Sequence, residues 1–302
     1  MNNQKMRTVT IGIPAFNEAN NIGMLLSALL KQREEGFILE NIIVCSDGSV
    51  DATCSIVNEF IDPRISLIDN TERKGKAARQ NQMLELCSSD IFILLDADIL
   101  FHYRFFISDL IQPLLTDSAD FVSGKIMPIQ GTNIVDRALQ VSMNIKSYIY
   151  EHFNGGLNVY TCYGPARAFS KKAYSILRFE QVVAEDAYSY LFCIKNHLRY
   201  AFVHEAQYFI KLPETTKDHQ KQSVRFMKSI SELESIFGKE MVKQEYSIPF
   251  QLYLSGIMRA IFYSPFYAFV YVLLNIQTKL VALAAPKPKV TWDMANSSKG
   301  LK

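Results

Sequence analysis

Four short apolar runs, separated by amphipathic stretches, set the tightest limit on what the first hundred residues can fold into. Residues 9–13 are a β-rich run closed by Pro14. Residues 20–35 carry Ile22, Leu25, Leu26, Leu29 and Leu30 on one helical face, with Gly36 as a stop. Residues 42–45 form the second run, and 51–60 a second helix opened by Ser49 and Asp51. Residues 65–68 form a third strand, 76–87 a third helix and 91–95 an uninterrupted apolar fourth strand. This β-α-β-α-β-α-β order predicts an α/β protein, its mostly parallel sheet flanked by helices on both faces.

The polar residues fall at one recurring place in that pattern. Asn17 and Glu18 follow the first strand, Asp47 the second, Lys74 and Lys76 the third, and Asp96 and Asp98 the fourth. All lie at carboxyl ends of parallel strands, where open α/β sheets bind their ligands. Asp47-Gly48-Ser49-Val50-Asp51-Ala52-Thr53 reads as a tight turn off a strand into a helix, with Asp47 free to accept hydrogen bonds from a base or ribose. The bland alternative is a turn with a capping aspartate. Asp96-Ala97-Asp98 sets two carboxylates at i, i+2 after a buried strand, a spacing that suits a ribose and a divalent cation sharing its shell with phosphates. Gly75 between Lys74 and Lys76 at a helix start suits a phosphate or a polar base edge, or is a solvated basic turn.

Beyond Asp98 the periodicity loosens. Residues 133–153 read as an amphipathic helix, 185–194 as another, 200–203 as a strand and 218–244 as a charged helical region. Ala184-Glu185-Asp186 opens one of these helices. Asp186 can serve as the general base that takes a proton from an attacking hydroxyl, or it is a helix-start acid complementing the dipole. Gln222 and Arg225 stand one turn apart, where a guanidinium can meet a diphosphate, or they are simply a polar helix face. The five histidines show no ligand spacing and are read as surface or packing residues.

From residue 248 to 285 the only charges are Arg259 and Lys279, and aromatic side chains are dense. The stretch is long enough for one tilted membrane span or two short segments broken near Pro265, against the alternative of a very apolar core subdomain. The organisation expected is therefore a catalytic domain over 1–245, a membrane-associated or transmembrane helical region over 246–285 and a basic cytosolic tail over 286–302. Lysines 287, 289, 299 and 302 of the tail favour a hairpin with both ends cytosolic, and Trp292 is expected to return to the catalytic domain. The polar start of the chain does not resemble a signal peptide, and five scattered cysteines read as reduced thiols in a cytosolic setting. A net charge of +2 with no basic block over the first domain argues against a nucleic-acid partner.

In order, these segments resemble the inverting family 2 glycosyltransferases, which have the GT-A fold. Pro14-Ala15-Phe16-Asn17-Glu18 looks like P-x-[YF]-N-E, and Asp47-Gly48-Ser49 with Asp51 and Thr53 like D-G-S-x-D-x-T. Lys74-Gly75-Lys76-Ala77 with Asn81 resembles K-G-K-A…N, Asp96-Ala97-Asp98 the D-A-D, and Gly164 with Lys171 and Lys172 a glycine-led acceptor segment. Glu185-Asp186 looks like the E-D base motif, and Gln222-x-x-Arg225-Phe226 like Q-x-x-R-W.

The resemblance implies that Pro14, Glu18, Asp47, Lys76 and Asp96 bind the nucleotide sugar and that Asp98 meets Mg2+ or Mn2+. It implies Asp186 as catalytic base, with Gly164, Glu185, Gln222 and Arg225 on the acceptor and diphosphate side. Ala184 replaces the usual threonine, and Phe226 replaces a tryptophan that helps form the acceptor floor in polymer-making relatives, which points to transfer of one or a few sugars. The function expected is metal-dependent transfer from a UDP-linked donor to a hydroxyl of a lipid-linked or glycan acceptor at the membrane. A catalytically silent nucleotide-binding membrane partner is the alternative. A sugar-phosphate nucleotidyltransferase is a further one, set against by the absence of a glycine-rich loop after the first strand.

Overall fold

The computed structural model describes residues 6–285 together with Gly300. The expectations for Trp292 and the tail lysines lie outside these residues. Seven strands form one sheet in the order β3-β2-β1-β4-β6-β5-β7: β1 (Arg7–Ala15), β2 (Phe37–Asp47), β3 (Ile65–Asn70), β4 (Ile91–Leu95), β5 (Phe121–Pro128), β6 (Ala166–Ser170) and β7 (Tyr200–Ile210). Only β6 runs against its neighbours, pairing antiparallel with both β4 and β5.

The chain steps outward from β1 through α1 (Ile22–Leu29) and α2 (Thr53–Asn58) to β3, then returns through α3 (Lys76–Leu86) to β4 on the other side of β1. Strand order therefore reverses between β1 and β4, and the carboxyl ends at such a reversal are where open α/β sheets take their ligands. The side chains explain the layering. β4 alternates Ile91, Ile93 and Leu95 into a core shared with α1 and with α4 (Phe106–Leu115), while Phe92 and Leu94 enter a second core against α3 and α7 (Glu185–Lys195). A strand buried on both faces needs an unbroken apolar run, and β4 has one.

Three boundaries differ from the sequence pattern. Pro14 does not end β1: it stays in register with Cys45 of β2, beyond the β4 pairing that stops at Gly12, so one flank of the strand is already open where its N–H is missing. α1 stops at Leu29, six residues early, because the next segment turns to the loop before α4: Gln32 Nε2 donates to the Tyr103 carbonyl at 3.0 Å, and the Arg33 amide to that of Arg104 at 2.8 Å. α2 begins at Thr53, since Ser49 and Asp51 spend their oxygens on the loop after β1 as well as on the helix start.

In the second half, α5 (Ile134–His152) starts with a capping box, Asn133 Oδ1 taking the amides of Val135 and Asp136 while Asp136 Oδ1 takes that of Asn133. A short α6 (Lys171–Tyr174) follows β6, and after β7 come α8 (Thr216–Phe237) and α9 (Lys239–Glu245). The apolar C-terminal region is a helical hairpin, α10 (Phe250–Tyr263) and α11 (Pro265–Ala284), broken at Ser264 with Pro265 opening the second helix. α10 lies close on α5: a Cβ at Gly256 would come within 2.7 Å of Ile149. α11 runs along α5 and α8, with Arg137 Nη1 donating to Tyr267 Oη at 3.2 Å, Lys146 Nζ 5.9 Å over the Tyr271 ring and Lys228 Nζ bonded to the Ala285 carbonyl. The outward sides of both helices carry exposed Phe250, Ile257, Phe262, Phe266, Phe269 and Leu280. By length and composition α11 is the one helix among the described residues apolar enough to cross a membrane.

Candidate active site

The first two motifs are hydrogen-bonded to each other. Asn17 donates its amide to Ser49 Oγ at 3.1 Å and accepts the Val50 amide on Oδ1 at 2.9 Å, while the Glu18 amide reaches Thr53 Oγ1 at 2.8 Å. Glu18 is buried, and its Oε2 takes a bond from Asn21 Nδ2 at 2.8 Å. Asp47, at the tip of β2, is only 5% exposed. Its carboxylate accepts the amides of Lys74 at 2.8 Å and Gly75 at 2.9 Å, together with Arg79 Nε at 2.7 Å. Gly75 has φ +91°, a conformation that side-chain-bearing residues avoid, and it lets the chain turn both amides onto Asp47 before α3 begins. Arg73, on the same loop, stacks over the Phe16 ring at 3.8 Å.

A second cluster assembles at the neighbouring strand ends. Lys76 Nζ bridges Asp96 Oδ1 at 2.7 Å and Glu185 Oε1 at 2.5 Å, so the strand-end acid and the α7 acid share one half-buried ammonium. Burial works against charge on Lys76, but Asp96 and Glu185 outweigh it and raise its pKa. Glu185 is opposed by burial, yet Lys76 and Arg167, with a smaller pull from Arg225, hold its carboxyl below the usual range. Asp186 behaves oppositely: burial first, then the adjacent Glu185 charge, push its carboxyl up, against Arg167 and Lys76. Its Oδ1 accepts the Ala187 amide at 2.8 Å, and a Cβ at Gly164 would sit 3.4 Å from its Oδ2.

The structure thus brings together Lys76, Asp96, Gly164, Glu185 and Asp186, with Arg225 in electrostatic reach. Pro14, Glu18 and Asp47 occupy the adjoining strand ends. Asp98 is half-buried two residues past Asp96, and Gln222 is exposed on α8. Among the described residues no group of three or more His, Cys, Asp or Glu is arranged to hold a metal ion. Mg2+ and Mn2+ are commonly bound by one or two carboxylates with substrate phosphates completing the shell, chemistry that a strand-end carboxylate such as Asp98 fits without a protein-built cage.

Three arginines of the site were not singled out from sequence: Arg73, Arg79 and Arg167. Arg167 is the most telling, a fully buried guanidinium in the middle of β6. Its signal was the isolated charge in Ala166-Arg167-Ala168-Phe169, an apolar run that tolerates arginine only where partners await it. His219, expected at the surface or in packing, is buried on α8, and burial with nearby Lys146 lowers its pKa to about 4.

Comparison with known proteins fits this geometry. The model of glycosyl transferase family 2 matches residues 10–177, more than half of the chain. A UDP-Glc:α-D-GlcNAc-diphosphoundecaprenol β-1,3-glucosyltransferase of Escherichia coli, WfgD, is 36% identical over 90 residues, which are 30% of this chain and 34% of that protein. The matches to the curated relatives span about a third of their length or less. Among solved structures, a mannosyltransferase from Pyrobaculum calidifontis in complex with GDP-Man and Mn2+ superposes with TM-score 0.63 at 17% identity, covering 91% of this chain and 86% of that one. Glucosyl-3-phosphoglycerate synthase from Mycobacterium tuberculosis, in complex with Mn2+, UDP and phosphoglyceric acid, gives 0.57 at 18% identity over 77% and 79%. At such identities the structural likeness concerns the fold. With the family model covering most of the sheet and its motif loops, the chain belongs to glycosyl transferase family 2.

Proposed function

We propose that this protein is a metal-dependent inverting glycosyltransferase that moves a sugar from a UDP-linked donor to a hydroxyl of a lipid-linked or glycan acceptor at a membrane. The observation that carries the reading is the Lys76 bridge between Asp96 and Glu185, which ties the DxD strand end to the helix bearing Asp186. In this reading Glu18, Asp47 and the loop before α3 border the nucleoside, Asp96 faces the ribose, and Asp98 meets the cation. The bound cation would stabilise charge on the departing diphosphate. The acceptor oxygen bonds to the anomeric carbon, its proton passes to Asp186, and the bond to the diphosphate breaks with its electron pair leaving on phosphate. Gln222 and Arg225 on α8 would close over the diphosphate and acceptor. The raised affinity of Asp186 for a proton supports its part as base.

The membrane half of the proposal rests on the hairpin. α10, with 14 residues, spans roughly 21 Å, short of a ~30 Å hydrocarbon core. α11 is long enough, but its contacts with α5 and α8 run from Tyr267 to Ala285, so one side is occupied by protein along its whole length. Helices held in this way, with bulky apolar side chains outward, suit an interfacial seat better than a crossing. WfgD, by its name, acts on a diphosphoundecaprenol-linked sugar, which supports a lipid-linked acceptor here.

The test is to offer UDP-glucose and other nucleotide sugars to the purified protein with Mn2+ or Mg2+ and to measure free nucleotide with and without lipid-linked acceptors. Release that stops with EDTA is expected. Nucleotide binding with no release from any donor would favour the silent binding partner instead. Co-flotation with anionic vesicles, lost in a Phe262→Ser, Phe266→Ser double variant, tests the interfacial seat.

A further inference from the structure

Arg167 lies on the central antiparallel strand, opposite Leu94 of β4 and Ser123 of β5, and is completely buried. Its side chain joins the two segments that meet at Asp186. Nε donates to the Gly164 carbonyl at 3.2 Å, and Nη1 to the Glu185 carbonyl at 3.0 Å and to Ser189 Oγ at 2.8 Å. Ser189 Oγ in turn donates to the Asp186 carbonyl at 2.7 Å, closing a ring around the first turn of α7. Nη2 has no hydrogen-bond partner although it is buried. A buried donor left unmade is costly, and a residue chosen for packing alone would not carry one.

We propose that Arg167 is a positioning residue for the transfer reaction: it clamps the Gly164 segment to the first turn of α7 and supplies the fixed counter-charge that keeps Asp186 aimed and ionisable. The inference rests on Asp186 being the base. Two acids adjacent on one helix start repel each other, and the charges around them are few. Lys76 of α3, ion-paired with Asp96 and Glu185, acts on Asp186 less than Arg167 does, Arg225 of α8 acts on Glu185, and Arg167 acts on both acids. The neutral neighbours Cys162 and Tyr246 also lie within electrostatic reach of Asp186 and bring no compensating positive charge. Arg167 is thus the cation from β6 that offsets the Glu185–Asp186 repulsion. Its planar fork sets the angle of the turn as well, which an ammonium would do less well.

A double-mutant cycle in the full chain tests this without knowing the donor. Arg167→Gln should shift the urea midpoint well below that of the parent at pH 7, and by less in an Asp186→Asn background, where Glu185 is the one acid of the pair left to compensate. Equal shifts in the two backgrounds, or failure of Arg167→Gln to fold in both, would make Arg167 a packing residue and overturn the proposal. With whichever nucleotide sugar the parent consumes, Arg167→Gln should lose about tenfold or more in kcat with donor KM little changed. The acid limb of its kcat profile should move to higher pH, and Arg167→Lys should bring that limb back. A limb that stays in place also counts against the proposal. Full turnover in Asp186→Asn would instead sink the base assignment, while the stability cycle would still report the Arg167–Asp186 coupling.

Discussion

Asp47 and Asp186 stand at the same edge of one sheet and have opposite surroundings. Asp47 is well compensated: two backbone amides and Arg79 bond to its carboxylate, and these bonds shape the loop that leads into α3. Asp186 has one backbone amide, an acidic neighbour and a raised affinity for a proton. The contrast separates two uses of a carboxylate at a sheet edge. On the proposed reading, the well-compensated carboxylate anchors a loop and the under-compensated one takes the proton.

The sharpest way to break this contrast is to remove charge at each end. Asp186→Asn should lower kcat by about 10²–10⁴-fold, the span of general-base catalysis, with nucleotide affinity retained in a binding titration. Asp47→Ala should act on the fold instead. It leaves the Arg79 guanidinium, 4% exposed, without its carboxylate, and denaturant melts should register a loss of about 3–5 kcal/mol. If Asp47→Ala proves stable and simply inactive, the division between anchor and base is wrong.

Lys76→Met would sharpen the comparison by uncoupling Asp96 from Glu185, and a loss of about 2–3 kcal/mol at pH 7 is expected from urea titration. Glu185 has a lowered pKa in the folded protein, so the stability it contributes is present above its unfolded pKa and disappears as pH falls through the folded value. That acid-side loss should be weaker in Lys76→Met than in the parent. The smallest effect concerns Asp186 itself. Its pKa is raised on folding, so its contribution is fully present below the unfolded value near 3.8 and is lost as pH rises through the folded one. Asp186→Asn should therefore melt higher than the parent at neutral pH, with the gain vanishing in strong acid; a lower melting temperature at pH 7 would contradict the assignment.

Much of the sheet is legible in the sequence. The apolar run 91–95 is β4 to the residue, because a strand buried on both faces leaves no polar position to blur its ends. The break at Pro265 was legible too, since proline is well suited to the first turn of a helix and disruptive inside one. Less visible were β5 and β6, whose neighbours in the sheet are distant in sequence, and α4, which packs against β5 and β7. The early end of α1 was also hidden, because it is set by the carbonyls of Tyr103 and Arg104 more than seventy residues away. In the site, the motif acids could be named, but not which of them were already occupied.

The sequence by itself determined the alternation of strands and helices, the edge where the charged groups gather, and the family to which the motifs belong. These follow from side-chain periodicity and from short-range turn chemistry, which are local. Only the tertiary structure decided how charge is shared at that edge. Asp47 receives its bonds from residues 74, 75 and 79, Lys76 joins residues 96 and 185, and Arg167 enters from an antiparallel strand to meet the start of α7. Whether a carboxylate serves as anchor or base depends on burial and on counter-charges brought from elsewhere in the chain, and neither can be read from the residue and its immediate neighbours.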